Sequence, residues 1–116
     1  MAAGYQDIFL NQGETFTTTL SLADPNGTPY DLNHFLVASA AKKSYYSSNA
    51  SIIFETTVLD ANNGVIQLQS SSSTTANLSP GKLIYDVQIK DTVSNNVTRV
   101  LEGQVLISPA VTLTLS

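Results

Sequence analysis

Thr15-Phe16-Thr17-Thr18-Thr19-Leu20-Ser21-Leu22 repeats with a period of two. Phe16, Thr18, Leu20 and Leu22 share one face; Thr15, Thr17, Thr19 and Ser21 share the other. A helix of 3.6 residues per turn would scatter these two sets, whereas an extended chain separates them. Leu83-Ile84-Tyr85-Asp86-Val87-Gln88-Ile89-Lys90 behaves the same way, with Leu83, Tyr85, Val87 and Ile89 set against Ile84, Asp86, Gln88 and Lys90. Both segments are expected to be half-buried strands.

Around them the chain is punctuated at short intervals. Ile8-Phe9-Leu10 is an apolar run closed by the turn signal Asn11-Gln12-Gly13, either a small strand or an arm docked elsewhere. Asp24-Pro25-Asn26-Gly27 is a turn, because Pro25 presets φ and Gly27 accepts positive φ. Tyr30-Asp31-Leu32 is expected to return as a short strand, starting late after Pro29. Phe35 to Lys43 has the propensity of a short helix. Its strand-like neighbours and its continuous small and apolar residues favour a central strand covered on both faces. After the polar loop Ser44 to Ser51, Ile52 to Leu59 and Val65 to Gln69 flank the hairpin signal Asn63-Gly64. Ser70 to Thr75 is expected to cross between sheets, with room for one helical turn before Leu78. Asp91 to Asn96 is a polar hairpin loop. Val97 to Ser108 is a long strand interrupted at Gly103, where a bulge or bend is expected. Val111-Thr112-Leu113-Thr114-Leu115 alternates once more.

Seven or eight strands at this spacing predict an all-β fold, a two-layer antiparallel β-sandwich of immunoglobulin-like type. A small closed barrel is the alternative. The expected organisation is an N-terminal arm over 1–11, the sandwich over 12–110 and a C-terminal strand or tail over 111–116.

Composition narrows the function. The chain has 116 residues and a formal net charge of −4, and only 12% of its residues are charged. Its 14 Ser, 13 Thr and 9 Asn carry most of the polarity. The five basic residues are spread along the chain, which argues against nucleic-acid binding. With no Cys there are no disulfides, thiolate metal sites or cysteine nucleophiles. No apolar run reaches the roughly 18 residues of a membrane span, and the first residues lack the pattern of a signal peptide.

The residues that could carry chemistry are few. His34 is the only imidazole, and no G-x-S-x-G elbow accompanies it, so it reads as a loop histidine rather than a general base. Asp60-Ala61-Asn62-Asn63-Gly64 lacks the ligand alternation and the closing Glu of a calcium loop; it and Asp24 to Gly27 read as hairpin turns. Glu14, Glu55 and Glu102 are far apart in sequence, with nothing to pair them as glycosidase carboxylates. Asp86 has the outward position of an ion-pairing or capping residue, with Lys90 or Arg99 as partner. Four N-x-[ST] sequons, at Asn26, Asn49, Asn77 and Asn96, come without a secretion signal. Tyr5, Tyr45 and Tyr46 lie in polar surroundings and suit an interface.

One resemblance ties these pieces together. Pro80-Gly81-Lys82-Leu83-Ile84-Tyr85-Asp86-Val87-Gln88-Ile89-Lys90, then Thr98-Arg99-Val100-Leu101-Glu102-Gly103-Gln104-Val105-Leu106-Ile107, then Val111-Thr112, resembles small Ig-like domains of tailed-bacteriophage structural proteins, notably the N-terminal domain of baseplate upper proteins. Gln12-Gly13-Glu14-Thr15-Phe16 and Asp24-Pro25-Asn26-Gly27-Thr28-Pro29-Tyr30-Asp31-Leu32 look like that domain's opening strand and hairpin. The resemblance covers about residues 12 to 112. In that family the domain heads a longer chain, whereas the present sequence stops at Ser116.

The resemblance implies a non-enzymatic virion protein of a tailed phage, a multi-copy module of baseplate, tail or head decoration. No catalytic, metal or cofactor residues are carried over. The implied partners are other virion proteins and further copies of itself, with no nucleic acid and no membrane, and the implied location is the virion. The candidate interface residues are Ile8, Phe9 and Leu10 of the arm, Tyr45 and Tyr46 of the loop, and Val111, Leu113 and Leu115 of the tail. The second expectation is a carbohydrate or host-surface binding module, which calls for an exposed aromatic platform.

Overall fold

The alternation at Phe16 is visible in the computed structural model, which describes residues 4–24, 26–44, 46 and 49–109. Eight strands follow in chain order: β1 (Gly4–Tyr5), β2 (Ile8–Asn11), β3 (Phe16–Ser21), β4 (Phe35–Lys42), β5 (Ile52–Asp60), β6 (Val65–Ser70), β7 (Gly81–Asp91) and β8 (Val97–Ser108). One short helix, α1 (Ser72–Ala76), sits between β6 and β7. Its N-cap is Ser71, whose side chain accepts from the Thr74 N–H. The polar serine tract therefore contains the helical turn expected before Leu78, started by the cap that serine supplies best.

The strands form one curled sheet in the order β1-β8-β7-β4-β5-β6-β3, with β2 also on β8. The curl is carried by β5. Its first three residues pair with β4, and the rest, Glu55 to Asp60, pair with β6. The all-β class is as expected, but the layers are joined through this strand rather than separate. The ladder ends at β2 on one side and β3 on the other, so the sheet is a half-barrel and not the closed barrel considered as an alternative.

The core fills the inside of the curl. Ile66, Leu68, Val87 and Val105 have no exposed surface, and Leu10, Leu20, Leu22 and Ile52 are nearly as deep. Phe16 and Phe54 meet at a ring-centroid distance of 5.8 Å. Burying each such side chain contributes roughly 1.5–3 kcal/mol.

Three local expectations need correction. Tyr30 to Leu32 is not a strand; only an isolated bridge joins Ala23 to Pro29, although Leu32 is buried. The bulge in β8 falls at Val100, not Gly103: Val87 pairs with Leu101 and Gln88 with Arg99, which leaves Val100 unopposed. Val100 and Leu101 are thus both buried despite being neighbours. Gly103 has a different reason. A Cβ there would overlap the carbonyl of Gln6, which crosses above it. Finally, the sheet is not wholly antiparallel. β1 and β2 run parallel to β8, in register Gly4 to Leu101 and Ile8 to Val105.

The parallel pairing also revises the arm. Ile8 and Leu10 are buried at 4% and 2% exposure, in the chain's own core. Between β1 and β2 the Gln6 N–H donates to the Glu102 carbonyl at 2.9 Å, and two side chains add to this. The Asp7 carboxylate accepts from the Gln104 N–H at 3.2 Å, and the Tyr85 hydroxyl donates to the Gln6 carbonyl.

Candidate interaction surface

The convex side of β2, β8, β7, β4 and the start of β5 carries the residues that alternation turns away from the core. Register places them in rows. Phe9 pairs with Leu106 and Leu106 with Lys82. Gln104 pairs with Ile84 and Ile84 with Lys42. Glu102 pairs with Asp86, Asp86 with Ala40 and Ala40 with Ile53. Gln88 lies opposite Ala38, and Lys90 opposite Leu36.

β4 makes a local hollow in this face. Its outward residues in the middle of the sheet are Ala38 and Ala40, flanked by the longer Ile53 and Ile84. The result is a hollow of about 460 Å³ bordered by Lys42, Asp86, Arg99 and Glu102. The expectation that β4 would be covered on both faces is corrected here. Ser39 and Ala41 face the core, but Leu36 is 60% exposed, and Ile53 next to β4 is 77% exposed. The strand has the composition of a two-sided core strand and a cover on one side only.

Four of the chain's five basic residues, Lys42, Lys82, Lys90 and Arg99, lie on this face. Arg99 is held by Asp86 at 3.1 Å and Glu102 at 3.5 Å. Those are the ion pairs among the described residues. Asp86 was expected to pair with Lys90 or Arg99; Arg99 takes it, and Gln88 donates to it as well. Glu102 as second partner had no sequence signal, because it depends on the bulge that shifts Arg99 against β7.

Those of the expected interface residues that lie among the described residues do not form one patch. Ile8 and Leu10 point into the core, while Phe9, 73% exposed, faces outward at the β2 edge. Tyr5, 65% exposed, lies along the same edge opposite Glu102. Tyr46 is 97% exposed in the β4–β5 loop, with β8, β7 and β4 between it and Phe9. Tyr45, Val111, Leu113 and Leu115 lie outside the described residues. The residues that sequence reading passed over are Ala38, Ala40 and Ile53. Their signal was present as period-two position within β4 and β5, but small or apolar residues on both faces concealed it; Ile84 was already set on the outward face of β7.

The remaining candidates serve the turns. His34 is exposed, and its carbonyl accepts from the backbone N–H and hydroxyl of Thr92, each at 2.9 Å. Asp24 Oδ1 accepts from the N–H groups of Asn26 and Thr28. Asp60 Oδ2 accepts from the Asn63 amide, in a turn closed by Gly64 at φ 68°. The N–H of Asn33, then its side-chain amide, holds the Asp31 carboxyl below its ordinary range. The N–H groups of Val93 and Ser94 act likewise on Asp91. Among the described residues no group of three or more His, Asp or Glu could hold a metal ion, and no helix is long and apolar enough to cross a membrane.

Comparison with solved structures agrees with this architecture. The chain superposes on a structure described as the N-terminal domain of phage TP901-1 ORF48 with a TM-score of 0.61. The match covers 93% of this chain and 99% of that one at 10% identity. At that identity the likeness is one of fold. A family 123 glycoside hydrolase from Clostridium perfringens aligns at a TM-score of 0.42 and 7% identity, over 92% of this chain and 23% of the hydrolase; a likeness so low carries no argument. No family model matches the chain, and no curated protein matches it in sequence.

Proposed function

We propose that the chain is a non-enzymatic structural protein of a tailed-phage virion, a module assembled in many copies in the baseplate, the tail or the head decoration. The observation that carries this reading is the end-to-end fold match with a phage protein domain, 93% of one chain against 99% of the other. The order of the sequence motifs quoted above, independent of that superposition, supports it. The curled sheet is read as an immunoglobulin-like sandwich whose two layers stay joined through β5.

In this role the surface is the working part. Its partners are other virion proteins and further copies of the chain, and neither nucleic acid nor membrane is among them. A polar surface built from hydroxyls and amides is less costly to desolvate than an ionic one. The test is mass spectrometry of purified particles from a phage that encodes the chain, followed by immunogold labelling. Several copies per particle, with label at one position, are expected. Absence from particles while the chain is abundant in infected cells would overturn the reading.

A further inference from the structure

Two surface features do no work in this chain's own packing, and they are complementary. The first is the hollow floored by Ala38 and Ala40, with Lys42 at its border. Lys42 has no ion pair among the described residues. The second is the hairpin between β7 and β8. Its backbone is well tied: Asp91 and Asn96 bond, and the Asn95 N–H returns to the Asp91 carbonyl. Asp91 Oδ1 accepts from Val93 at 2.8 Å and Ser94 at 3.4 Å. This firm turn holds out Val93, 82% exposed. Turn geometry asks for Gly, Asn, Asp or Ser at such positions and gives no reason for a β-branched apolar residue.

We infer that the β7–β8 hairpin of one copy seats in the hollow of the next, with Val93 over the alanine floor and Asp91 toward Lys42. The shapes agree, an apolar knob against small residues between longer walls. The charges agree, since Asp91 is acidic and Lys42 has no ion pair among the described residues. The hollow cannot take its own hairpin, because the tip lies beyond the end of β4, whose first residue, Phe35, pairs with Asp91. Knob and hollow are different surfaces of one chain, so a contact made in one direction only is head-to-tail and propagates to a ring or a filament. This rests on the reading that the chain assembles in many copies. It is tested on the purified chain alone, so its failure leaves the particle experiment to decide the virion reading separately.

The measurement is sedimentation velocity of the full chain over a concentration series, at low and high salt. Species larger than a dimer are expected to grow with concentration, and raised salt to weaken them severalfold. Val93→Asp and Ala38→Glu each alter an exposed side chain, and each should reduce association at least tenfold with an unchanged circular dichroism spectrum. Mixing the two variants should restore a 1:1 pair and nothing larger, since each retains the surface the other has lost. A monomer at the highest concentration, wild-type association by either variant, or a mixture that forms no pair would overturn the inference.

Discussion

Tyr85 and Gly103 face each other across β7 and β8, and together they clamp the amino-terminal strand pair. Gly103 leaves the space through which Gln6 passes, and Tyr85 donates to its carbonyl. Gly103→Ala should destabilise the fold by roughly 1–3 kcal/mol through overpacking, read as a lower urea midpoint. Tyr85→Phe should cost about 1 kcal/mol for the lost hydrogen bond. It should also change the response to alkali. Burial first, and then the charge of Asp7 and the proximity of Tyr5, raise the Tyr85 hydroxyl above its ordinary range. The folded state therefore holds this proton where the unfolded chain releases it. The associated stability is complete below the ordinary tyrosine value of about 10 and is lost as pH rises beyond it. Thermal melts from neutral to strongly alkaline pH should fall more steeply for the native chain than for Tyr85→Phe; equal slopes would count against the clamp. In the β7–β8 turn, Asn95 holds φ at 63°. Asn95→Gly should be nearly neutral and Asn95→Ala should cost about 1 kcal/mol, compared by the same denaturation.

Among the elements, β2 was left open by its sequence. As an apolar run ahead of a turn it reads either as a small strand or as an arm docked elsewhere, and the structure makes it the strand. In the fold it is a parallel strand with two side chains in the core and two outside. Removing residues 1–11 withdraws Ile8 and Leu10 and should remove on the order of 3–6 kcal/mol, much of a small domain's stability. That truncation should lower the melting temperature sharply, whereas Phe9→Ser should leave it nearly unchanged. Similar melting of the truncated and full chains would mean β2 is an accessory. The other elements were more legible. β3, β7 and the β5–β6 hairpin follow from alternation and from Asn63-Gly64. β4 was legible as a strand but not in its cover, because small residues on both faces look alike whether the second face meets a core or solvent. Tyr30 to Leu32 is not a strand: Tyr30 packs on the core with its N–H on the Leu22 carbonyl, and Leu32 is buried, without a ladder.

The whole molecule is held by distant pairings, first strands with last and β3 with β6. Loop closure must precede those contacts, so refolding from urea should take milliseconds to seconds, measured by stopped-flow tyrosine fluorescence. Sub-millisecond refolding would show that local structure dominates. The same pairings create the candidate surface. The hollow draws on β4, β5, β7 and β8, residues 38 to 102, and its two cations, Lys42 and Arg99, come from separate strands.

Alternation, turn chemistry and composition were enough to establish an all-β chain, most of its strands, and a polarity carried by hydroxyls and amides. Those properties depend on neighbours within a few residues, and the chain displays them directly. The parallel pairing of β1 and β2, the bending of β5 between two ladders, the bulge at Val100 and the alanine-floored hollow came only from the folded arrangement. Each is set by which strand edge finds which, and by how the sheet twists around its core. These are outcomes of long-range packing, in which residues as far apart in sequence as Gly4 and Leu101 become neighbours.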